Sequence, residues 1–157
     1  MKNNKRNRII QFSVITILLF ILVFYWCDLW GAHNLGHKFV LLEGDKTEDR
    51  IIVYSTVTWG CCYTGIPVIP HSVYNDYTSY VDIAKSNRKW IIARSVNNDA
   101  NFSYWIINKR FKLDLEKSQD KNCDSIIQEN VYGPFNFETF KRTADSLKVN
   151  LNLTRIK

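Results

Sequence analysis

Residues 89–108 read KWIIARSVNNDANFSYWIIN. Two runs rich in β-branched and aromatic residues, 89–96 and 102–108, flank the polar residues 97–101. Such runs have the composition of strands, and the short Asn/Asp-rich segment between them is typical of a hairpin loop. Both runs carry apolar residues on both faces, so the pattern predicts an antiparallel pair but leaves its register open.

Further strands are predicted on the N-terminal side of this hairpin. Residues 50–58 (RIIVYSTVT) have the strongest strand composition in the chain, and residues 39–43 precede them across a polar turn at 45–49. These segments predict a second hairpin. Residues 80–84 predict a short strand that ends in a turn at 85–88.

Two helices are predicted near the C-terminus. Residues 123–130 are enough for about two helical turns, and Gly133-Pro134 separates them from the next element. Asn136 is a favourable N-cap, and Glu138 lies in the first turn, where the helix dipole favours an acid. Apolar residues then recur at helical spacing, at Phe137, Phe140, Ala144 and Leu147.

These elements predict an α+β fold in which a C-terminal amphipathic helix packs on an antiparallel sheet. The sheet is expected to have four to six strands, with residues 149–153 as a final edge strand. Residues 28–38 are short and polar with two glycines, so we predict a juxtamembrane linker there. The folded domain is then expected to comprise residues 39–157.

Residues 9–27 (IIQFSVITILLFILVFYWC) contain no charged side chain. A helix of these 19 residues would be about 28 Å long, close to the thickness of about 30 Å of a hydrocarbon core. Tyr25, Trp26 and Trp30 cluster at its far end, as interfacial aromatic residues do. The basic tail 1–8 predicts a cytoplasmic N-terminus. The expected protein is a single-pass protein of the bacterial inner membrane, with its domain on the periplasmic side.

Two other fates of this segment stay open. In a bacterial lipoprotein, Cys27 would carry the lipid, but the residue before it is Trp26 where a small residue is expected. A cleaved signal peptide has an apolar run of about 7–15 residues followed by small residues at the cleavage site. The longer run and its bulky flank favour a retained anchor.

The charge distribution excludes a simple nucleic-acid hypothesis. The chain carries a net charge of +6, but four of its 21 basic residues precede residue 9. A basic patch on a folded domain is the usual mark of nucleic-acid binding, and this excess lies in the N-terminal tail instead. The predicted partners are therefore the membrane, through residues 9–27, and a protein of unknown identity.

Three cysteines are expected outside the cytoplasm: Cys61, Cys62 and Cys123. Because the adjacent pair would form a strained ring, we predict a disulfide from Cys61 or Cys62 to Cys123. It would close a loop of about 60 residues and contribute about 4 kcal/mol in the chain-entropy model. Buried thiols are the alternative.

The loop 59–75 holds the other candidate site residues. Trp59, Tyr63, His71 and Tyr74 could form a recognition patch, since aromatic residues are enriched in binding hot spots. A loop folded onto the sheet and held by the disulfide is the simpler interpretation. The vicinal cysteines lack the paired spacing of structural zinc sites. His33 and His37 are four residues apart, but they lie in the predicted linker and not on a helix, so no metal site is predicted.

At Tyr104-Trp105-Ile106-Ile107-Asn108-Lys109 and Tyr132-Gly133-Pro134-Phe135, followed by the helix over 137–147, the chain resembles a family of small bacterial exported or membrane-anchored proteins of unknown function. The resemblance covers residues 39–150. It implies an envelope location and an α+β domain. It implies no catalytic residue.

Two functions are therefore expected, from different classes. The first is an envelope-anchored binding or structural module, of which an immunity or inhibitor protein is one version. It follows from an anchor and a core pattern without a catalytic signature, and it predicts neither enzymatic activity nor a cofactor. The second is a thiol-dependent enzyme or redox module that uses Cys61 or Cys62 with His71, and Asp76 as a third group.

Overall fold

The computed structural model describes residues 10–22, 31–56, 65–70, 79–97, 99–111, 113 and 123–153. Residues 10–22 form a helix, α1, on which every residue is exposed. Within the described ranges, no helix has both the length and the apolar character needed to cross a bilayer. The described residues between 31 and 153 form two antiparallel sheets and two further α-helices. The predicted α+β class is therefore confirmed.

The first sheet has four antiparallel strands in chain order: β1 (Ala32–Gly36), β2 (Phe39–Leu42), β3 (Ile51–Ser55) and β4 (Gly65–Ile69). The predicted hairpin of β2 and β3 is confirmed, and a 3-10 turn at Thr47–Asp49 lies in its connection. The pairing supplies hydrogen-bond partners for the backbone of β3. The β-branched and aromatic residues of β3 suit a partly buried sheet.

The prediction of a linker over 28–38 is wrong from Ala32 onward, because β1 pairs with β2. Ala32 and Leu35 are buried, although the residues between them are polar and exposed. The turn that follows needs the left-handed backbone region, which glycine adopts at no steric cost, and Gly36 has φ +85°. Two apolar residues in a polar pentapeptide gave too weak an alternation to indicate a strand.

The second sheet contains β5 (Tyr80–Ser86), β6 (Trp90–Val96), β7 (Phe102–Asn108) and β8 (Val131–Phe135), again antiparallel and in chain order. The predicted hairpin at 89–108 is confirmed, with Trp90 paired with Asn108 and Val96 with Phe102. The turn predicted at 85–88 starts later, since β5 extends to Ser86. In this turn the side-chain oxygen of Asn87 accepts hydrogen bonds from the backbone N–H groups of Lys89 and Trp90.

The predicted single sheet of four to six strands is thus corrected to two sheets, each with four strands among the described residues. The pattern missed β4, which lies within the predicted loop 59–75, and β8, which contains the Gly-Pro pair. The sheets pack face to face around one apolar core. Its fully buried members include Phe39, Ile52, Ile69, Val81, Ile91 and Ile107.

A second core lies on the other face of the second sheet, under α3 (Phe137–Ser146). The Asn136 side chain accepts the backbone N–H of Thr139 at 2.9 Å, so the predicted N-cap is confirmed. Phe140 and Ala144 are buried against this face, as the predicted stripe requires. The preceding helix, α2 (Cys123–Gln128), is shorter than the predicted 123–130, and it buries Ile127 in the inter-sheet core.

The edge strand predicted at 149–153 is wrong. These residues form no ladder, and their apolar side chains pack against the core beneath α3. The Val149 N–H donates to the Ala144 carbonyl at 2.8 Å, which returns the chain toward the helix. Alternation at 149–153 therefore reflects packing of Val149, Leu151 and Leu153 rather than strand pairing.

All four outer strands of the two sheets carry an irregularity. Pro67 lies in β4 and Pro134 in β8, and a proline has no backbone N–H to donate. The register shifts near the end of β1, and β5 has a bulge at Asp82. The inner strands β2, β6 and β7 form regular ladders on at least one side.

Two hydrogen bonds between the sheets show which of their ends lie together. The Val81 N–H, at the start of β5, donates to the Arg50 carbonyl just before β3, at 2.8 Å. At the opposite end, Lys109 Nζ, just after β7, donates to the Leu35 carbonyl in β1 at 2.6 Å. We call the end where Val81 and Arg50 meet the Ala32 end, and the end where Lys109 and Leu35 meet the Lys109 end.

Strand register places Ala32 and Phe102 at the same end of the domain. Ala32 pairs with Leu42, which pairs in turn with the first residue of β3. Phe102 pairs with Val96, which pairs in turn with the first residue of β5. Because β3 and β5 begin side by side, the starts of β1 and β7 share the Ala32 end.

Candidate functional site

Most of the candidate residues predicted from the sequence lie outside the described residues. This group comprises Trp59, Cys61, Cys62, Tyr63, His71 and Tyr74, together with Asp76. The recognition loop and the thiol-dependent alternative both stay predictions. Of the candidate residues, Cys123 is described.

Cys123 opens α2, is half-buried and packs against the inter-sheet core. Burial raises the pKa of the nearby Tyr54 hydroxyl, and the negative charge of a Cys123 thiolate adds to this effect. Tyr54 precedes Ser55, the last paired residue of β3, whose partner Gly65 opens β4. The segment that holds the two loop cysteines thus joins residues close to Cys123. The disulfide stays a prediction.

Tyr54 belongs to a cluster of three aromatic rings between the sheets. Its ring stacks on Phe111 at 5.7 Å, and Phe39 meets both rings edge-on, at 5.2 Å from Tyr54 and 5.9 Å from Phe111. Such geometries add about 0.5–1.5 kcal/mol per pair beyond area burial. Because Phe111 follows β7, the cluster packs the segment after β7 of the second sheet against the first sheet.

Lys109 is a buried cation at the same end. The residue is 3% exposed, and its ammonium donates to the Leu35 carbonyl. Burial lowers the pKa of Lys109, because desolvation disfavours the charged form. A Cβ at position 36 would lie 3.0 Å from Nζ, so Gly36 leaves room for the ammonium. The contact joins the two sheets and gives Lys109 a structural role.

An ion pair lies on the face of the second sheet that α3 partly covers. Arg94 Nε donates to both carboxylate oxygens of Asp82 at 3.1 Å, and a terminal guanidinium nitrogen of Arg94 also donates to Asp82. The Arg94 and Asp82 side chains are 24% and 11% exposed. These hydrogen bonds raise the pKa of Arg94. The bulge in β5 occurs at Asp82 and aims its carboxylate at this guanidinium.

Aromatic rings surround the ion pair. The Phe102 ring centroid lies 4.5 Å from Arg94 Cζ, a cation–π distance. Tyr104, the cross-strand partner of Arg94, lies 5.4 Å from the Phe137 ring and 5.3 Å from Phe140. Phe102, Phe137, Tyr104 and Arg94 are called the aromatic patch below. Phe102 and Phe137 are its exposed members, and Asp82 balances the charge of Arg94.

The aromatic patch is exposed to an unusual degree for this domain. Phe102 is 51% and Phe137 53% exposed, and they are the only large apolar side chains so exposed among the described residues outside α1. Both rings adjoin the paired residues Arg94 and Tyr104, and exposed apolar side chains grouped in this way are more typical of an interaction site than scattered single ones. The patch is therefore the candidate functional site, and it offers binding through apolar and ring contacts.

The helical spacing predicts Phe137 in the buried stripe of α3, and Phe102 lies in a predicted strand. The stripe is correct for Phe140 and Ala144, but Phe137 is the first helical residue and its ring lies largely outside the packed contact. Phe102 opens its strand on the face that α3 covers further along. Both positions begin an element, where periodicity cannot show how far the covering layer extends.

Metal-ligating residues do not converge in the described part of the chain. No group of three or more His, Cys, Asp or Glu side chains there could hold a metal ion. His33 Nε2 lies 3.5 Å from Glu43, but Arg50 binds the same carboxylate oxygen at 2.7 Å. His37 lies in the turn after β1 with φ +53°. His33, Glu43 and Arg50 form a surface cluster in which Arg50 is the cationic partner of Glu43.

No protein-family model matches the chain, and no curated protein or solved structure is significantly similar to it. The family resemblance noted at Tyr104–Lys109 and Tyr132–Phe135 therefore stays a prediction. The functional proposals rest on the chain's own residues.

Proposed function

We propose that the protein is a single-pass, membrane-anchored envelope protein whose two-sheet domain acts as a binding or structural module. An envelope immunity or inhibitor protein is one concrete version. The N-terminus would lie in the cytoplasm and the domain outside the inner membrane. Residues 9–27 would be the anchor, and the partner of the domain would be another protein.

The observation that carries this proposal is the exposure of α1. Its ten large apolar side chains, from Ile10 to Leu22, are between 49% and 72% exposed, around the whole helix circumference. A helix of a water-soluble domain buries one apolar stripe and exposes a polar face. An apolar surface on all sides is stable where lipid surrounds it.

Polar groups in α1 are few and compatible with lipid. The Thr16 hydroxyl donates to the Phe12 carbonyl one turn earlier at 2.8 Å. This local bond satisfies a donor that would otherwise be unpaired in hydrocarbon. The described helix contains no charged residue. The four basic residues of the tail 1–8 then favour the proposed orientation.

Carbonate extraction of the full-length protein from its native membrane tests the anchor. Wild type is expected in the membrane pellet. The double substitution Ile15→Arg/Leu18→Arg costs about 5–7 kcal/mol on the insertion scale and should release the chain, whereas Ile15→Ala/Leu18→Ala should not. Recovery of wild type as a soluble chain that starts near Asp28 or Gly31 would refute the anchor.

A reporter that is active only outside the cytoplasm tests the orientation. Fused after Lys157 it should be active, and fused ahead of Ile9 it should be silent. The reverse pattern would place the domain in the cytoplasm. Affinity purification of the anchored protein after crosslinking in its native membrane then tests the binding role, with a co-purifying protein lost on disruption of the domain as the expected result.

A further inference from the structure

The chain between the proposed anchor and the folded domain is short. The uncharged run ends at Cys27, and β1 begins at Ala32. Five Cα–Cα steps span at most about 18 Å when fully extended. A linker over 28–38 would have allowed about 40 Å on the same basis. The Ala32 end of the domain is therefore held near the bilayer if residues 9–27 are embedded in it.

The aromatic patch lies toward this same end. Phe102 opens β7 at the Ala32 end, and Phe137 is held against Tyr104, two residues further along the strand. Packed sheets are separated by about 10 Å, and the patch lies one side chain further out, on the outer face of the second sheet, so its distance from the first sheet is comparable to the reach of the connecting chain. A modest tilt of the domain therefore brings both exposed rings to the level of the lipid headgroups.

The charges at the Ala32 end favour one side for contact with lipid, because the β2–β3 connection carries more acids than the surroundings of the aromatic patch, where Asp99 and Glu138 lie. The connection between β2 and β3 lies there and carries four acids and two bases, namely Glu43, Asp45, Glu48 and Asp49 with Lys46 and Arg50. Its net negative charge is repelled by the anionic surface of a bacterial membrane. The aromatic patch presents rings over an internally balanced ion pair, and aromatic side chains favour the interface.

We propose that Phe102 and Phe137 contact the lipid interface of the membrane that holds residues 9–27. The domain lies tilted with the aromatic patch toward the bilayer, and the Lys109 end faces away from it. Thr56 and Gly65 lie at the Lys109 end and flank residues 57–64, the part of the predicted loop 59–75 that contains Trp59, Cys61, Cys62 and Tyr63. This orientation rests on the proposed anchor and leaves the Lys109 end available to a protein partner.

Site-specific photocrosslinking of the full-length protein tests this orientation. The photoreactive residue p-benzoylphenylalanine, whose shape resembles phenylalanine, replaces one residue at a time, first Phe102 or Phe137. Each variant is placed in nanodiscs of phosphatidylethanolamine and phosphatidylglycerol before irradiation. Arg110 is the matched control because it is exposed at the Lys109 end. Leu18, midway along the uncharged run, reports on the anchor. Lipid adducts are expected at Leu18, Phe102 and Phe137, several-fold above those at Arg110.

The outcomes separate this inference from the anchor. Lipid adducts at Leu18, with adducts at Phe102 and Phe137 no higher than at Arg110, overturn the orientation alone. Absence of lipid adducts at Leu18 overturns the anchor and the orientation with it. Adducts of Phe102 or Phe137 to another protein in native membranes, in place of lipid, overturn the orientation in favour of a protein-docking patch.

A second measurement avoids the photoreactive residue. In vesicles that contain brominated lipid, Phe102→Trp should lose a larger fraction of its added fluorescence than Arg110→Trp. Wild type, with its native tryptophans, provides the baseline for both variants. Equal quenching of the two added tryptophans would again overturn the orientation.

Discussion

The Arg94–Asp82 pair should make a larger contribution to stability than any other surface-accessible ion pair described in this domain. The perturbation is a double-mutant cycle of Asp82→Ala, Arg94→Met and the double variant. Arg94→Met retains much of the aliphatic packing beside Phe102 while it removes the guanidinium. The cycle isolates the coupling between the two charged groups.

The magnitude follows from the exposure of the two side chains. An exposed ion pair contributes about 0–1 kcal/mol, and breaking a fully buried one costs about 3–5 kcal/mol. At 24% and 11% exposure, this pair lies between those limits, and its bidentate geometry places the expected coupling at about 2 kcal/mol.

The two single variants should differ in a definite order. Arg94→Met leaves the Asp82 carboxylate, the more buried partner, without its donors, and it also removes the cation–π contact with Phe102. That contact is worth about 0.5–1 kcal/mol at an accessible site. Asp82→Ala leaves a guanidinium that can reach water more easily. Arg94→Met is therefore expected to destabilise the protein more than Asp82→Ala.

The assay is equilibrium unfolding of the full-length protein in mild detergent, followed by near-ultraviolet circular dichroism. A loss of about 2 kcal/mol should lower Tm by about 8 °C for a domain of this size. Arg50→Met with Glu43→Ala forms the control cycle, because the Arg50 and Glu43 side chains are more exposed, at 28% and 26%. Its coupling should stay below about 1 kcal/mol.

Equal couplings in the two cycles would show that partial burial adds nothing to the Arg94–Asp82 interaction, contrary to this prediction. A reversed order of the single variants would refute the assignment of Asp82 as the more costly group to leave unpaired.

Three further predictions concern single side chains. Because burial lowers the folded-state pKa of Lys109, the unfolded chain holds the proton to higher pH, so wild type should gain stability relative to Lys109→Met as pH rises from 7 toward 10.5; parallel pH profiles in chemical denaturation would contradict this. Phe140→Ala should cost about 3–4 kcal/mol and Phe137→Ala less than about 1 kcal/mol, because only Phe140 is buried; equal losses of Tm would contradict the exposed position of Phe137. Cys123→Ser should lower stability by up to about 4 kcal/mol in oxidised protein only, and full alkylation of Cys123 in protein taken directly from the envelope would exclude the predicted disulfide.

The strands with dense β-branched and aromatic composition could be predicted from the sequence. Residues 102–108 coincide with β7, and the hairpin of β2 and β3 forms where it was expected. The cap at Asn136 was equally predictable, because its hydrogen bond is local. These features depend on interactions between residues that are close in sequence.

The missing strands depended on distant residues. β1 contains two buried apolar residues among polar ones, and β4 contains Pro67, so neither has a clear local pattern. Each becomes a strand because an adjacent strand supplies hydrogen-bond partners. Without these two strands, the sequence pattern indicated one sheet and could not indicate the face-to-face packing of two.

The candidate site could not be predicted from the sequence, because it too depends on contacts between residues that are distant in the chain. Asp82 and Arg94 are twelve positions apart and meet because β5 bulges, a shift that no local pattern signals. The exposure of Phe102 depends on where α3 stops covering the sheet. Lys109 was visible only as the last residue of a strand motif, and its burial follows from contact with Leu35 in the other sheet.

Prolines and bulges on all four outer strands affect how copies of this protein can behave together. Confinement to a membrane plane would raise the frequency of encounters between copies far above that in free solution. Unprotected outer strands would then recruit one another into continuous sheets and, ultimately, aggregates. With Pro67 and Pro134 interrupting one outer strand of each sheet, crowded copies can collide without sharing backbone hydrogen bonds. High surface density is thus compatible with a monomeric fold.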